Sequence, residues 1–285
     1  MNWQDVVEKY LDKIGLKKGN YFAEQQREYH VASMRRAEHG IALFSFLTGI
    51  KDFKKLNVFE PGCGVGPFSI LVSKAGAFAV GCDIRRDFIK LAKILNKTEG
   101  GKAHFMLADC LQPPFKENFF DCIFLWDVLE HTTKQKNMLK SIFRTMKYNS
   151  MLFAKISNQL FPIEPHTLLP FVTYFPKKYS DVFIKIFRPG FYAWYDSYEK
   201  EIHIPTYRAA KKWFDGLDEE NVKFYNMFLH YIPFVGMFGM RHNIMTFKLP
   251  KFLGRIFSSH VFLNFISEWP FILFAKDWLV VAKKS

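Results

Sequence analysis

Between Leu56 and Asn158, short apolar runs of strand length alternate with amphipathic stretches of roughly 10–15 residues. LNVFE, AFAVGCDI, AHFMLADC, FDCIFLWDV and SMLFAKISN read as strands, while PFSILVSKAG, RDFIKLAKILNK and NMLKSIFRTMK read as helices, the first closed by Gly76. Strands separated by helices cannot pair as hairpins, so the alternation predicts an α/β fold: a mostly parallel sheet with helices on both faces. Ahead of it, residues 2–14 and 21–47 read as helices, and in the second Phe22, Ile41, Phe44 and Leu47 are spaced for one face. After Asn158 the rhythm stops. Residues 159–275 carry most of the prolines, many aromatics and irregular helix signals such as TYRAAKKWFDGL, before DWLVVAKKS supplies one more buried strand. Four segments are therefore expected. They are an N-terminal helical cap (1–50), the sheet-forming core (51–158), an aromatic-rich insertion or lid before the last strand (159–275), and the final strand of the core sheet (276–285).

The 285 residues, 49% of them apolar, suffice for one large domain with a substantial insertion. With 40 Lys/Arg against 27 Asp/Glu the chain carries +13, an excess shared by both halves and not gathered in a basic tail. Such a balance suits a nucleic acid, a membrane surface or a phosphorylated substrate, and equally a plain solvated surface. Cys63, Cys82, Cys110 and Cys122 lack metal-ligand spacing, and four reduced thiols point to a cytoplasmic protein. MNWQDVVEKYLDKIG has no apolar core of a signal peptide. The nearest approach to a membrane span, Phe224 to Met240, is broken by Pro233, Gly236 and Gly239.

The stretch NVFEPGCGVGPFSI joins the first strand to the first core helix through Gly62, Gly64 and Gly66, with Glu60 just before them. Glycines so spaced allow a sharp turn and close approach of backbone to a ligand. The dinucleotide fingerprint G-x-G-x-x-G requires a third glycine where this chain has Pro67, so the spacing is G-x-G-x-G. Asp83 ends the second strand and Asp109 the third. An acid at the second strand's end can accept both hydroxyls of a ribose, and one at the third can receive an exocyclic amine. Either alone could equally be a helix cap or a solvated loop residue. Together with Glu60 they make a negative edge that disfavours pyrophosphate and favours a ligand carrying an amine and a sulfonium charge.

These stretches resemble the class I S-adenosylmethionine-dependent methyltransferases, whose core is Rossmann-like. VFEPGCGVGPFSI is similar to the family's first motif, GCDIRRDFIKLAK to its second, and ADCLQPPFKENFFDCIFLWDVLEH to the next two. The resemblance implies S-adenosyl-L-methionine as cofactor, with Gly62, Gly64 and Gly66 along its methionine part and Glu60 near the amino group. It further implies Asp83 on the ribose, Ile84 against the adenine, Asp109 on the adenine amine with Cys110 beside the ring, and Asp127 on the same cofactor edge. Tyr148-Asn149-Ser150 departs from the Pro-Gly-Gly turn common in the family.

On the acceptor side, the Asn/Asp-Pro-Pro-aromatic signature of amine methylation is absent; the sequence reads WDVLEHT. A hydroxyl acceptor needs a base. His131, beyond the fourth strand, is the first candidate, and His166, with Asn158 and Glu164 after the fifth, is the second. Each could instead be a structural histidine. Asp127, Glu130 and His131 also resemble a metal-binding constellation of ubiquinone-pathway O-methyltransferases, yet Leu-Glu-His is widespread in metal-free relatives and no metal is expected. The stretch 156–176 is similar to one in methyltransferases of polysaccharide pathways. A methyltransferase with a small-molecule, glycan or lipid-linked acceptor is therefore expected, with the hydroxyl of a sugar or glycolipid preferred. The aromatic clusters at 191–198, 224–238 and 262–274 either pack the lid or rest on a membrane surface; nucleic acid is not expected as a partner. The rival readings are a catalytically silent relative acting as a membrane- or partner-binding module, and a nicotinamide-dependent dehydrogenase.

Overall fold

The computed structural model describes residues 3–13, 29–162, 164, 167, 169–189, 203–217, 221–226 and 277–285. The aromatic clusters 191–198 and 262–274, and all but the start of the one at 224–238, lie outside the described residues, as does His166. Helices α1 (Trp3–Lys13) and α2 (Ser33–Thr48) precede the sheet. The core then runs β1 (Asn57–Pro61), α3 (Pro67–Lys74), β2 (Phe78–Asp83), α4 (Arg86–Thr98), β3 (His104–Leu107), β4 (Phe120–Trp126), α5 (Gln135–Thr145) and β5 (Met146–Ser157). Helices α6 (Lys177–Phe187) and α7 (Tyr207–Phe214) and strands β6 (Val222–Asn226) and β7 (Asp277–Lys283) follow.

The sheet has the order β3-β2-β1-β4-β5-β7-β6. Strands β1 to β5 are parallel; β7 lies antiparallel between β5 and β6. The reversal between β1 and β4 is the topological switch point, where successive crossovers leave in opposite directions and open a crevice at the carboxyl edge.

Alternation along each strand sends side chains to two cores. Val58, Ala79, Cys122, Phe124, Phe153, Leu279 and Val281 face α1 to α4. Phe59, Val80, Ile123, Leu125, Leu152, Trp278 and Val280 face α5 and α7. Helices thus cover both faces of a mostly parallel sheet, as the alternation of runs required. On the first face Phe44 of α2 meets Phe124 and Phe153 edge-on at 5.0 and 5.7 Å, and Phe68 of α3 stacks on Phe124 at 4.9 Å. Several of the phenylalanines are therefore packed between sheet and helices.

One local feature differs from the sequence reading, and one noted there is explained. Strand β6 arises within the span assigned to the lid and pairs with β7 from Val222↔Ala282 to Asn226↔Trp278, so part of 159–275 belongs to the sheet. The turn before β5's long run has no glycine, yet Asn149 takes φ 61° there, a conformation asparagine tolerates better than most residues. Its N–H donates to the Lys284 carbonyl at 2.6 Å, tying the turn to the end of β7.

Candidate active site

The crevice is built on the turn between β1 and α3. Gly62, Gly64 and Gly66 all have positive φ, at 63°, 51° and 73°. The Cys63 N–H donates to the Cys82 carbonyl at 2.9 Å and the Gly66 N–H to the Cys63 carbonyl at 2.8 Å, so the turn is pinned to β2 and closed on itself. Pro67, the departure from the dinucleotide pattern, is the first residue of α3, where its missing N–H would have had no helical partner. The close packing falls to Gly66: a Cβ there would lie 2.2 Å from the buried Phe105 ring. At Gly64 a Cβ would meet nothing within 4 Å, so this side of the loop faces open space.

Glu60 is buried beneath the loop. Its carboxylate accepts from the N–H groups of Phe68 and Ser69 at 3.3 and 2.7 Å, in the first turn of α3. In this geometry Glu60 ties the helix N-terminus to β1. Burial pushes its carboxyl up to about 7 against the hydrogen bonds from Ser69 and Phe68, which favour the ionised form.

Asp83, at the end of β2, accepts from the Gly64 N–H at 3.0 Å and from the Arg85 N–H at 2.8 Å. Burial raises its carboxyl above the usual range, opposed by these bonds and by the charges of Arg85 and His131. Ile84 follows at 70% exposure, an apolar side chain left open at the crevice rim. Asp109 is exposed just beyond β3, its carboxylate accepting from Leu111 N–H at 2.8 Å. The neighbouring Ala108 N–H donates to the Asp83 carbonyl at 3.1 Å, which brings the two strand ends together. Cys110 turns inward, its sulfur 3.6 Å from that of Cys82.

Beyond β4, Asp127 adopts φ 53°. Its carboxylate accepts from the Tyr29 hydroxyl at 3.0 Å and from Lys155 Nζ. Lys155 also lies 3.6 Å from the buried Asp277 carboxylate. Burial alone would raise the Asp127 carboxyl, but Lys155 and Arg36 hold it below the usual range. Glu130 is 1% exposed and its carboxyl is raised, by burial first and by Asp127 second. His131 closes the 3-10 turn 129–131 and is exposed, near enough to Asp83 and Glu130 to bear on the charge of both. Among the described residues no three His, Cys, Asp or Glu side chains converge as a metal-ligand set. Of the second candidate group, Asn158 and Glu164 are buried and accept from nearby backbone, Leu160 N–H and Thr167 N–H respectively.

The crevice therefore gathers the glycine turn, Asp83, Ile84, Asp109 and His131 at one edge, with Asp127 among Tyr29, Arg36, Lys155 and Asp277. The last four were missed in the sequence. Lysine inside the buried run FAKIS, and aspartate opening the last strand, were the available signals.

Residues 59–154, from β1 into β5, match the family described as a methyltransferase domain. Over these residues the chain is similar to methyltransferases. The chain is 30% identical over 156 residues to cycloartenol-C-24-methyltransferase 1 of Oryza sativa subsp. japonica, an alignment covering 51% of this chain and 44% of that protein. It is 34% identical over 104 residues to a ubiquinone/menaquinone biosynthesis C-methyltransferase of Erwinia tasmaniensis, covering 35% and 41%. The chain thus spans less than half the length of these relatives. Among solved structures, the YcgJ protein from Bacillus subtilis aligns over 87% of this chain and 98% of its own with TM-score 0.51 at 12% identity, a likeness of fold.

Two outcomes test this site. Gly66→Ala should destabilise the protein by ~2–4 kcal/mol through clash and positive φ. Gly64→Ala should cost only ~1–2 kcal/mol in strain yet weaken S-adenosylhomocysteine binding, because its methyl enters the open side. Denaturation and calorimetry of both variants check this; equal affinity for Gly64→Ala and wild type would contradict it. Separately, the folded chain holds the Glu60 proton more tightly than the unfolded chain, whose value lies near 4.5. The stability this carboxyl contributes is therefore fully present below pH 4.5 and lost as pH rises through about 7. Glu60→Gln removes this dependence, so between those limits wild type should lose stability relative to the variant by on the order of 3 kcal/mol. Parallel stability–pH curves would contradict it.

Proposed function

We propose that the chain binds S-adenosyl-L-methionine at the carboxyl edge of β1, β2 and β3 and directs its methyl group to a small-molecule acceptor. The observation that carries this reading is the turn open at Gly64 and held to Asp83, with exposed Ile84 and Asp109 beside it. Those residues fit an adenosyl group. Asp83 would take the ribose hydroxyls, Ile84 would lie against the adenine, Asp109 would accept from its amine, and Gly62 to Gly66 would run along the methionine part. Glu60 would keep α3 in place beneath it, and Asp127 would close the edge beyond β4.

S-adenosylmethionine supplies an electrophilic methyl group on a sulfonium centre. What the protein adds is alignment of acceptor with methyl, exclusion of competing water, and a proton acceptor. His131 is the exposed imidazole at this edge and would take the proton of an acceptor hydroxyl; His166 is the alternative base from the segment after β5. The preferred acceptor is a hydroxyl of a sugar, glycolipid or other small molecule, used in the cytoplasm or against a membrane. A second reading, an acceptor carbon, is favoured by the core's likeness to proteins named as C-methyltransferases.

The test is transfer of labelled methyl from S-adenosylmethionine into glycan and lipid extracts. Wild type should label one product class. Replacing the base by alanine, at His131 or at His166, should slow transfer by ~100-fold or more with S-adenosylhomocysteine affinity within about twofold. Full activity in both variants would remove the histidine base and leave the carbon-acceptor reading; no transfer by wild type into any extract would overturn the acceptor assignment.

A further inference from the structure

Helix α6, KKYSDVFIKIF, is unlike the other long helices among the described residues. Helix α5 buries Met138, Leu139, Ile142 and Phe143 against the sheet. No described side chain of α6 is buried. Tyr179, Val182 and Ile186 are 63%, 55% and 66% exposed, and Phe187 is half-exposed. At 3.6 residues per turn, Val182, Ile186, Tyr179, Phe183 and Phe187 fall on one continuous arc of roughly 140°. Lys178 and Lys185, both exposed, flank one margin of that arc, and Asp181 is the helix's sole acid. The preceding turn continues the apolar surface with exposed Phe171, Tyr174 and Phe175.

This surface is fastened to the core. Thr173 and Gln159 exchange hydrogen bonds at 2.8 and 3.0 Å, the Tyr174 hydroxyl donates to the Leu160 carbonyl, and Ser180 donates to the Val172 carbonyl at 2.7 Å. Residues 159–162 continue directly from β5, so the exposed face is anchored next to the carboxyl edge where the crevice opens. Its sequence pattern is that of an interfacial helix: an apolar aromatic face, a lysine margin, and a length too short to cross a bilayer. Among the described residues no helix is long and apolar enough to span a membrane.

We infer that α6 and the turn 171–176 dock the protein on an anionic lipid surface. The apolar arc enters the headgroup boundary, with the margin of Lys178 and Lys185 toward the lipid phosphates and carboxylates. Charge complementarity favours a bilayer over a protein partner: the whole chain carries +13, and an anionic leaflet attracts that charge before any side chain inserts. The inference deepens the methyltransferase reading, because it would set the crevice beside a membrane-held acceptor.

Co-sedimentation of the intact chain with phosphatidylcholine vesicles, with and without phosphatidylserine, tests it. Binding should require phosphatidylserine and weaken with salt. Val182→Asp/Ile186→Asp should reduce it by roughly tenfold or more, and Lys178→Glu/Lys185→Glu should weaken the phosphatidylserine dependence. S-adenosylhomocysteine affinity, measured in parallel, should be unchanged in both variants, which shows that they fold. No binding by wild type, or equal binding by Val182→Asp/Ile186→Asp, would overturn the inference. So would self-association abolished by that variant without vesicle binding, which would assign the face to a second copy. Loss of cofactor binding with vesicle binding intact would count against the methyltransferase reading and not against this surface.

Discussion

The crevice depends on one backbone turn held from two sides. Glu60 beneath it accepts from the first turn of α3, and Asp83 beside it accepts from Gly64. Both carboxylates come from the ends of neighbouring parallel strands, so the turn can form only once β1 and β2 are in register, with Glu60 opposite Gly81 and Pro61 opposite Cys82. Positive φ at Gly62, Gly64 and Gly66 is the local cost, and the absence of side chains there keeps it small. Fold and crevice edge are in this sense one construction: the bonds that fix the sheet's switch point also shape the surface open at that edge.

A second polar group ties the end of the chain to the same edge. Lys155 on β5 bridges Asp127 after β4 and Asp277 at the start of β7. Two acids sharing one buried lysine make removal of the lysine costly, because uncompensated charge would remain in a low-dielectric site. Tyr29 joins from the segment before α2, so residues distant in sequence meet at one point. The closing strand, fully covered on the face that presents Trp278 and Val280, therefore carries both packing and site geometry.

Much of the architecture was legible because it rests on local pattern. The alternation of apolar runs with amphipathic ones encodes β1 to β5 and the helices between them, and the acids ending three strands mark the crevice. What escaped was non-local. Strand β6 is five residues long and, among the described residues, pairs with β7, some fifty residues later, so no neighbouring signal announces it. The partners of Asp127 come from three separated segments, and spacing alone could not assemble them. Glu60 was legible as an acid beside the glycines, but its engagement with α3 follows from how the helix enters the turn. The match to the methyltransferase-domain family runs from β1 into β5.

The central claim is that the turn beside Asp83 is shaped for an adenosyl sulfonium ligand and not for a dinucleotide. Calorimetric titration of the purified protein with S-adenosylmethionine, S-adenosylhomocysteine and NADH tests it most directly. Micromolar binding of both adenosyl ligands with none for NADH is the predicted result. Binding of NADH alone, or of none of the three, would contradict it.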